Sequence, residues 1–225
     1  MPPAWACPSR SKSGGAGLAG AEARPQREAV TTDYSEIQLD AMRELANIGS
    51  GSAATALSTM LGRPLDVSIP NALALPLTDA VDSVGPVDAC VVAVAIPVEG
   101  DFDAVVLMLL SPLDVETLCG LLGVEANSEL GRSAISEVAN IFGSSYLVAL
   151  ETMTGLVGEP GPPETAHDIL GAIVSSLLVT TVQATDIVLL LGSDLAVEGE
   201  ECSFSFMLLP DAGCIDEFLA KLGVG

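Results

Sequence analysis

The sequence predicts an α/β (α+β) fold: a pseudo-two-fold single domain in which a largely antiparallel sheet carries two long helices packed on a face. The main evidence is that the second half of the chain repeats the pattern of the first. Val98-Glu99-Gly100-Asp101 precedes Met108-Leu109-Leu110, and Val197-Glu198-Gly199-Glu200 precedes Met207-Leu208-Leu209 in the same register. Each half holds roughly 90 residues and would bury little surface alone, so we expect one intertwined domain.

We expect residues 1–32 to be a disordered leader and residues 33–225 to form the domain, with internal repeats at about 36–124 and 129–225. The leader is rich in Pro, Gly, Ala and Ser and has no periodicity. It lacks the compact apolar segment of a signal peptide. No apolar run is long enough to span a bilayer. We therefore expect a cytoplasmic protein without membrane insertion.

The first repeat should open with a long helix. Ser35 and Gln38 have capping-box spacing, and Gly62 marks the end of the helix before Pro64. Apolar residues continue along its whole length: Ile37, Met42, Leu45, Ile48, Leu57, Met60 and Leu61. We expect Met42, Leu45 and Ala46 to form its buried face. The internal Gly-Ser-Gly-Ser run, residues 49–52, lacks the lysine and the preceding strand of a phosphate-binding loop. We interpret it as a place where another helix approaches closely.

The remaining elements of both repeats follow from turn residues and periodicity. In the first repeat we expect a strand at 66–69 ending at Pro70, strand and turn through Val81, a hairpin at 89–110 and a helix opened by Ser111-Pro112 and ended by Gly123. In the second we expect a long helix at 129–154, a Pro/Gly-rich break at 155–163 and, at 168–178, a short helix with a strand as the alternative. β-branched segments over 181–197, interrupted near Ala184, a turn at 198–200, a strand at 202–209 and a helix at 215–221 complete it.

Both long helices carry the same polar pattern, with a small polar residue, a carboxylate and a carboxamide at i, i+4 and i+7. The first copy is Asp40, Glu44 and Asn47, and the second is Ser133, Glu137 and Asn140. These positions share one helix face, and we call the two sets stripe 1 and stripe 2. A single stripe could be the solvated face of an amphipathic helix. Two stripes in register favour a functional surface.

The charge of the chain restricts its partners. Of 30 acidic and eight basic residues, 28 acids and four bases lie in residues 33–225, and the net charge is −22. Nucleic-acid binding is excluded because phosphate contacts need Lys and Arg. The acidity is consistent with adaptation to high salt, as in a halophile, or with an acidic surface for a basic partner.

The sequence predicts no metal or cofactor site. The five cysteines have no CxxC spacing, and His167 is the single histidine. A structural zinc site needs a denser set of such ligands. No Ser/His/Asp or Cys/His arrangement is available for nucleophilic catalysis.

The spacing of stripe and proline resembles a known family signature. Asn47 and Pro70 have 22 residues between them, and so do Asn140 and Pro163. The pattern Asp/Ser-x3-Glu-x2-Asn followed by this proline resembles the CheC-type phosphatases of the chemotaxis system, whose relatives include CheX and FliY. The resemblance covers residues 36–225, and the duplicated motif makes it specific.

The resemblance implies dephosphorylation of CheY, a response regulator that carries its phosphoryl group on an aspartate. It implies that Asn47 and Asn140 orient the attacking water and that Glu44 and Glu137 dock on a lysine of the regulator. The supporting residues would be Asp40, Ser133, Pro70 and Pro163. The Mg²⁺ that neutralises the phosphoryl charge would belong to the regulator, so no cofactor is expected in this chain.

Two other functions remain open from the sequence. The resemblance implies binding to CheD, a receptor-modifying deamidase, so the protein could act mainly as a non-catalytic adaptor. It could instead be a flagellar switch component, since those proteins share the fold. We expect a monomer, because the internal repeat already supplies a two-fold relation.

Overall fold

The computed structural model describes residues 34–62, 64, 66–180, 187–197, 200–211 and 213–225. The helices of these residues are α1 (Glu36–Leu61), α2 (Leu77–Val84), α3 (Pro112–Leu121), α4 (Glu129–Thr154), α5 (Leu170–Thr180) and α6 (Cys214–Lys221). The strands are β1 (Asp66–Pro76), β2 (Cys90–Gly100), β3 (Ala104–Leu110), β4 (Gly158–Pro160), β5 (Glu164–Ile169), β6 (Ile187–Val197) and β7 (Glu200–Pro210). The expected leader, the interruption near Ala184 and the first two residues of the 198–200 turn lie outside the described residues.

The strands form one sheet in the order β1-β6-β7-β3-β2-β4, and β5 also pairs with β2. Every pair of strands is antiparallel. The hairpins β2–β3 and β6–β7 meet at the β3–β7 ladder, while β1 pairs with β6 and β5 pairs with β2. Each expected repeat thus gives one strand to the hairpin of the other. We propose a single intertwined domain on this basis, and the duplication itself stays a prediction.

Each face of the sheet carries its own group of helices. In β3, Val106 and Met108 belong to the larger core with α1, α3, α4 and α6, whereas Leu107 and Leu109 belong to the smaller core with α2 and α5. This alternation is the period-two rule for strands. The expected fold class is therefore confirmed, with both long helices on the same face.

The ends of the long helices follow from their capping residues. The Ser35 Oγ accepts a hydrogen bond from the Gln38 amide at 3.4 Å, and the Gln38 side chain accepts one from the Ser35 amide at 2.8 Å. Gly62 ends α1 in the left-handed conformation. The capping box and the end at Gly62 are thus confirmed. Among the described helices, none is long and apolar enough to cross a membrane.

The expected close approach of another helix to the Gly-Ser-Gly-Ser run is confirmed at Gly49 and is wrong at Gly51. A Cβ placed on Gly49 would lie 2.6 Å from the Tyr146 ring of α4, whereas one on Gly51 would have no neighbour within 4 Å. Tyr146 stacks on Phe206 of β7 with 4.7 Å between ring centroids. Gly49 therefore lets α1 lie directly against a ring that the sheet holds from its other side.

Two expectations for the first repeat are wrong. Residues 77–84 form α2 instead of strand and turn, because Leu77, Ala80 and Val81 recur at i, i+3 and i+4 and bury one helical face. The strand at 66–69 does not end at Pro70 but continues to Pro76. The β1–β6 register shifts between Ser68 and Asn71, so Pro70 lies in a bulge of an edge strand, where its missing N–H is tolerated.

Other expectations need smaller corrections. The expected buried face of α1, Met42, Leu45 and Ala46, is confirmed, whereas the apolar residues Ile37, Ile48 and Met60 are exposed. The helix expected at 168–178 begins at Leu170, because residues 164–169 extend β5 along β2, with His167 opposite Val92. The break at 155–163 also contains the short strand β4.

Candidate functional site

Stripe 2 lies on the solvent-facing side of α4. The opposite side of that helix is fixed by Ile135, Val138 and Ala139, all fully buried in the larger core. Ser133 and Glu137 are exposed, and Asn140 is half-buried. Burial of three apolar residues therefore sets the rotation of α4 that turns its polar residues outward.

A surface pocket of about 500 Å³ contains the whole of stripe 2. Six of its lining residues come from α4, and the seventh comes from the segment between β4 and β5. They are Glu129, Arg132, Ser133, Ser136, Glu137, Asn140 and Pro163. The structure thus brings together all four residues that the sequence assigned to the second site, including a proline 23 positions away in the chain.

Several contacts hold the β4–β5 segment beside α4. The Ser136 and Thr165 hydroxyls lie 3.0 Å apart, which joins α4 to β5. The Gly161 amide donates a hydrogen bond to the Pro97 carbonyl at 2.8 Å. A Cβ on Gly161 would lie 2.9 Å from the Pro97 ring. The proline side of the pocket is therefore fixed to β2, a strand of the other expected repeat.

Stripe 1 lies on the exposed face of α1, where Asp40, Glu44 and Asn47 are all exposed. The main-chain carbonyl of Asn47 accepts a hydrogen bond from the Ser50 hydroxyl at 3.0 Å. The proline of this copy, Pro70, lies within a strand rather than in a loop between strands. The two copies therefore differ in the backbone setting of their prolines.

Sequence reasoning missed Glu129, Arg132 and Ser136 as members of the pocket. The signal was available, because Arg132, Ser136 and Asn140 are spaced at i, i+4 and i+8 and share one helix face. The motif register places Leu39 and Arg43 of α1 at the positions of Arg132 and Ser136. The two stripes therefore have different polar surroundings.

The electrostatic surroundings of the stripes are mixed rather than purely acidic. Arg43 adjoins stripe 1 and Arg132 adjoins stripe 2, so two of the four bases in residues 33–225 lie beside a stripe. Arg132 shares the pocket with Glu129 and Glu137. Within the described part of the chain, no three His, Cys, Asp or Glu residues are placed to hold a metal ion.

Comparison with known proteins identifies related chains. The model of the CheC-like family matches residues 37–73 and 130–167, and each match contains one stripe and its proline. The CheY-P phosphatase CheC of Bacillus subtilis is 29% identical over 204 residues, covering 86% of this chain and 98% of that protein. The flagellar motor switch phosphatase FliY of the same organism is 28% identical over 138 residues, covering 58% of this chain and 36% of that protein.

A solved structure supports the same relationship at the level of fold. The crystal structure of Thermotoga maritima FliY has a TM-score of 0.67 and 19% identity, covering 84% of this chain and 98% of that one. Similarity at this identity establishes the architecture alone. Together with the duplicated stripe and proline, the family match and the Bacillus relative support the assignment of the chain to the CheC-like family.

Proposed function

We propose that the protein hydrolyses the aspartyl phosphate of a phosphorylated CheY response regulator. The observation that carries the proposal is the pocket that gathers Ser133, Glu137, Asn140 and Pro163 on one exposed surface. The Bacillus subtilis relative named as a CheY-P phosphatase supports it, since the alignment spans nearly all of that protein.

The chemistry needs little from this chain beyond positioning. An aspartyl phosphate is an acyl phosphate and has a good leaving group, so a water in line with the phosphorus is enough. The water oxygen forms the new P–O bond, the bond between phosphorus and the aspartate oxygen breaks, and the water proton leaves with phosphate or solvent. The products are a free carboxylate and inorganic phosphate.

Asn140 is suited to orient that water. Its carboxamide can both accept and donate hydrogen bonds, so it can fix the water without acting as a strong base. The half-buried position in the pocket limits the directions that the side chain can adopt. Asn47 would do the same at stripe 1.

Glu137 is suited to docking. It is exposed, one helical turn before Asn140, and its carboxylate can pair with a lysine at the active site of the regulator. Glu44 would do the same at stripe 1. The Mg²⁺ that the resemblance implies belongs to the regulator, so this chain supplies the helix face and the water-orienting amide.

We infer that stripe 2 contributes more activity than stripe 1. Stripe 2 is partly enclosed by the β4–β5 segment, and its asparagine is half-buried, whereas Asn47 is exposed. A less confined amide samples more rotamers and loses more entropy when it orders a water.

The roles as a chemotaxis adaptor and as a flagellar switch component stay predictions. The FliY relative favours a role at the flagellar switch, although the chain spans only 36% of that protein. CheD binding, a monomeric state and a cytoplasmic location are further predictions. Co-purification with CheD and sedimentation of the purified chain would check the first two.

The test is the decay of phosphorylated CheY with and without the protein, at low salt and at high salt. We expect Asn47→Ala combined with Asn140→Ala to lower the rate enhancement by about 100-fold. Asn140→Ala alone should lose more than Asn47→Ala alone. Both side chains lie outside the core, so the melting temperature should not change.

A matched pair separates docking from general surface charge. Glu137→Ala should raise KM for the regulator, whereas Glu151→Ala, an exposed carboxylate farther along the same helix, should not. Full activity of the double asparagine variant would exclude the mechanism. Unfolding of that variant would mean instead that these residues are structural.

A further inference from the structure

An exposed apolar side chain precedes each stripe at the same distance in the sequence. Ile37 lies three residues before Asp40, and Leu130 lies three residues before Ser133. Ile37 is 67% exposed and Leu130 is 64% exposed. The motif register makes the two residues equivalent, so the same departure from burial occurs in both halves.

The helix geometry joins this side chain to the stripe. Positions i, i+3, i+7 and i+10 fall within about 80° on a helix of 3.6 residues per turn, so Leu130, Ser133, Glu137 and Asn140 share one face. At a rise of 1.5 Å per residue the row is about 15 Å long. An acid precedes the apolar residue in both copies, Glu36 before Ile37 and Glu129 before Leu130.

Helix capping does not account for these residues. In α1 the residue before the Ser35 cap is Tyr34, which packs against the larger core, and Ile37 lies on the second position of the helix. A hydrophobic staple uses the residues just before the cap and four beyond it. Ile37 and Leu130 occupy neither position, so their side chains are available to a partner.

We propose that Ile37 and Leu130 are docking residues, each inserting into an apolar socket on the response regulator beside the lysine that the stripe glutamate pairs with. The proposal rests on the proposed function. Its occupant is the regulator rather than another protein because the apolar residue continues the row that ends at the water-orienting asparagine. The flanking acids fit a socket with a basic rim.

The chain provides a matched control for this proposal. Leu113 is 71% exposed and also occupies the second position of a helix capped by serine, here Ser111 of α3. Exposure at that helix position is therefore not sufficient evidence of docking. Leu113 differs from Leu130 in having no glutamate and asparagine at +7 and +10, where α3 and the following turn place Gly120 and Gly123.

The experiment measures KM and kcat for phosphorylated CheY in single-site backgrounds. In the Asn47→Ala background, which leaves only stripe 2, we expect Leu130→Ala to raise KM about 5- to 20-fold, because a buried apolar contact is lost. kcat should change less than twofold, and Leu130→Met should restore KM. Leu113→Ala should leave both constants unchanged. Ile37→Ala should act in the same way in the Asn140→Ala background.

The outcomes separate the two proposals. If the parent protein does not accelerate phosphate loss, the proposed function is wrong. If it does and KM is unchanged in Leu130→Ala and Ile37→Ala, the docking proposal is wrong. Sedimentation of each variant measures its oligomeric mass. If Leu130→Ala lowers that mass instead of raising KM, the side chain contacts a second copy of this chain, and the docking proposal is overturned.

Discussion

The contact between Gly49 and Tyr146 sets how closely the two stripe-bearing helices pack, and it can be tested with one methyl group. An alanine Cβ at position 49 would lie 2.6, 2.8 and 2.9 Å from three atoms of the Tyr146 ring. All three distances are below van der Waals contact. The ring cannot retreat easily, because it is stacked on Phe206 and is only 6% exposed.

Two opposing effects determine the free energy of unfolding of Gly49→Ala. Replacing a helical glycine by alanine stabilises a helix by about 1 kcal/mol. Overpacking a core contact costs roughly 1–3 kcal/mol, and we expect the upper part of that range because the ring is held on both sides. The net expectation is a destabilisation of about 1–2 kcal/mol. Gly51→Ala should only show the stabilisation from replacing a helical glycine, because nothing lies within 4 Å of its Cβ.

Urea and thermal denaturation of both variants measure the difference. For a domain of this size 1 kcal/mol corresponds to about 2–4 °C, so the two melting temperatures should differ by roughly 5–10 °C. Combining Gly49→Ala with Tyr146→Ala should remove the penalty, since the clash needs the ring. Equal shifts for Gly49→Ala and Gly51→Ala, or a penalty that survives Tyr146→Ala, would refute the packing argument.

Two further predictions concern the start of α4 and the thiols of Cys119 and Cys214. Gly131→Ala should destabilise the protein by about 1–3 kcal/mol, because its Cβ would collide with the Glu125 carbonyl oxygen. Gly120→Ala should not destabilise it, because the space around that Cβ is open. Equal urea midpoints for the two variants would contradict this. Burial raises the pKa of Cys119 and of Cys214 above the ordinary 9.0, and neighbouring carboxylates add to the rise at Cys214. The fold therefore favours the neutral thiols, so stability is full below pH 9 and falls as the pH rises above it. Urea midpoints from pH 8 to 10.5 should show this fall, and it should be smaller in Cys214→Ala; an identical pH profile would contradict it.

The sequence predicted the features that depend on local chemistry. The Ser35–Gln38 box, the end of α1 at Gly62 and the extent of α4 each follow from neighbouring residues. The sequence-based prediction failed where the position of a strand in the sheet decides whether the strand ends at a proline. Pro70 marks the end of a strand in most contexts, but in an edge strand a bulge absorbs it, and the sequence alone does not say which strand lies at the edge.

The sequence predicted four of the seven residues that line the pocket, but not the difference between the surroundings of the two stripes. Helical spacing placed Glu137 and Asn140 on one face, and the family spacing added Pro163. The spacing could not show that Ser136 contacts Thr165, because β5 was not expected and the residues lie 29 positions apart. Arg43 takes the place of Ser136 in α1, so this short contact between hydroxyl groups has no counterpart of the same chemistry there.

Each expected repeat gives one strand to the hairpin of the other. This pairing is a reason why the surroundings of the two stripes can differ within one domain. The segment that carries Pro163 is held through β2, which belongs to the first expected repeat, while Pro70 lies in β1, which is held by β6 of the second. The backbone that carries each proline is therefore paired with a strand of the opposite expected repeat. We expect a substitution in β2 to affect the position of Pro163 and one in β6 to affect that of Pro70, so the surroundings of the two stripes can differ while their Glu and Asn residues stay the same.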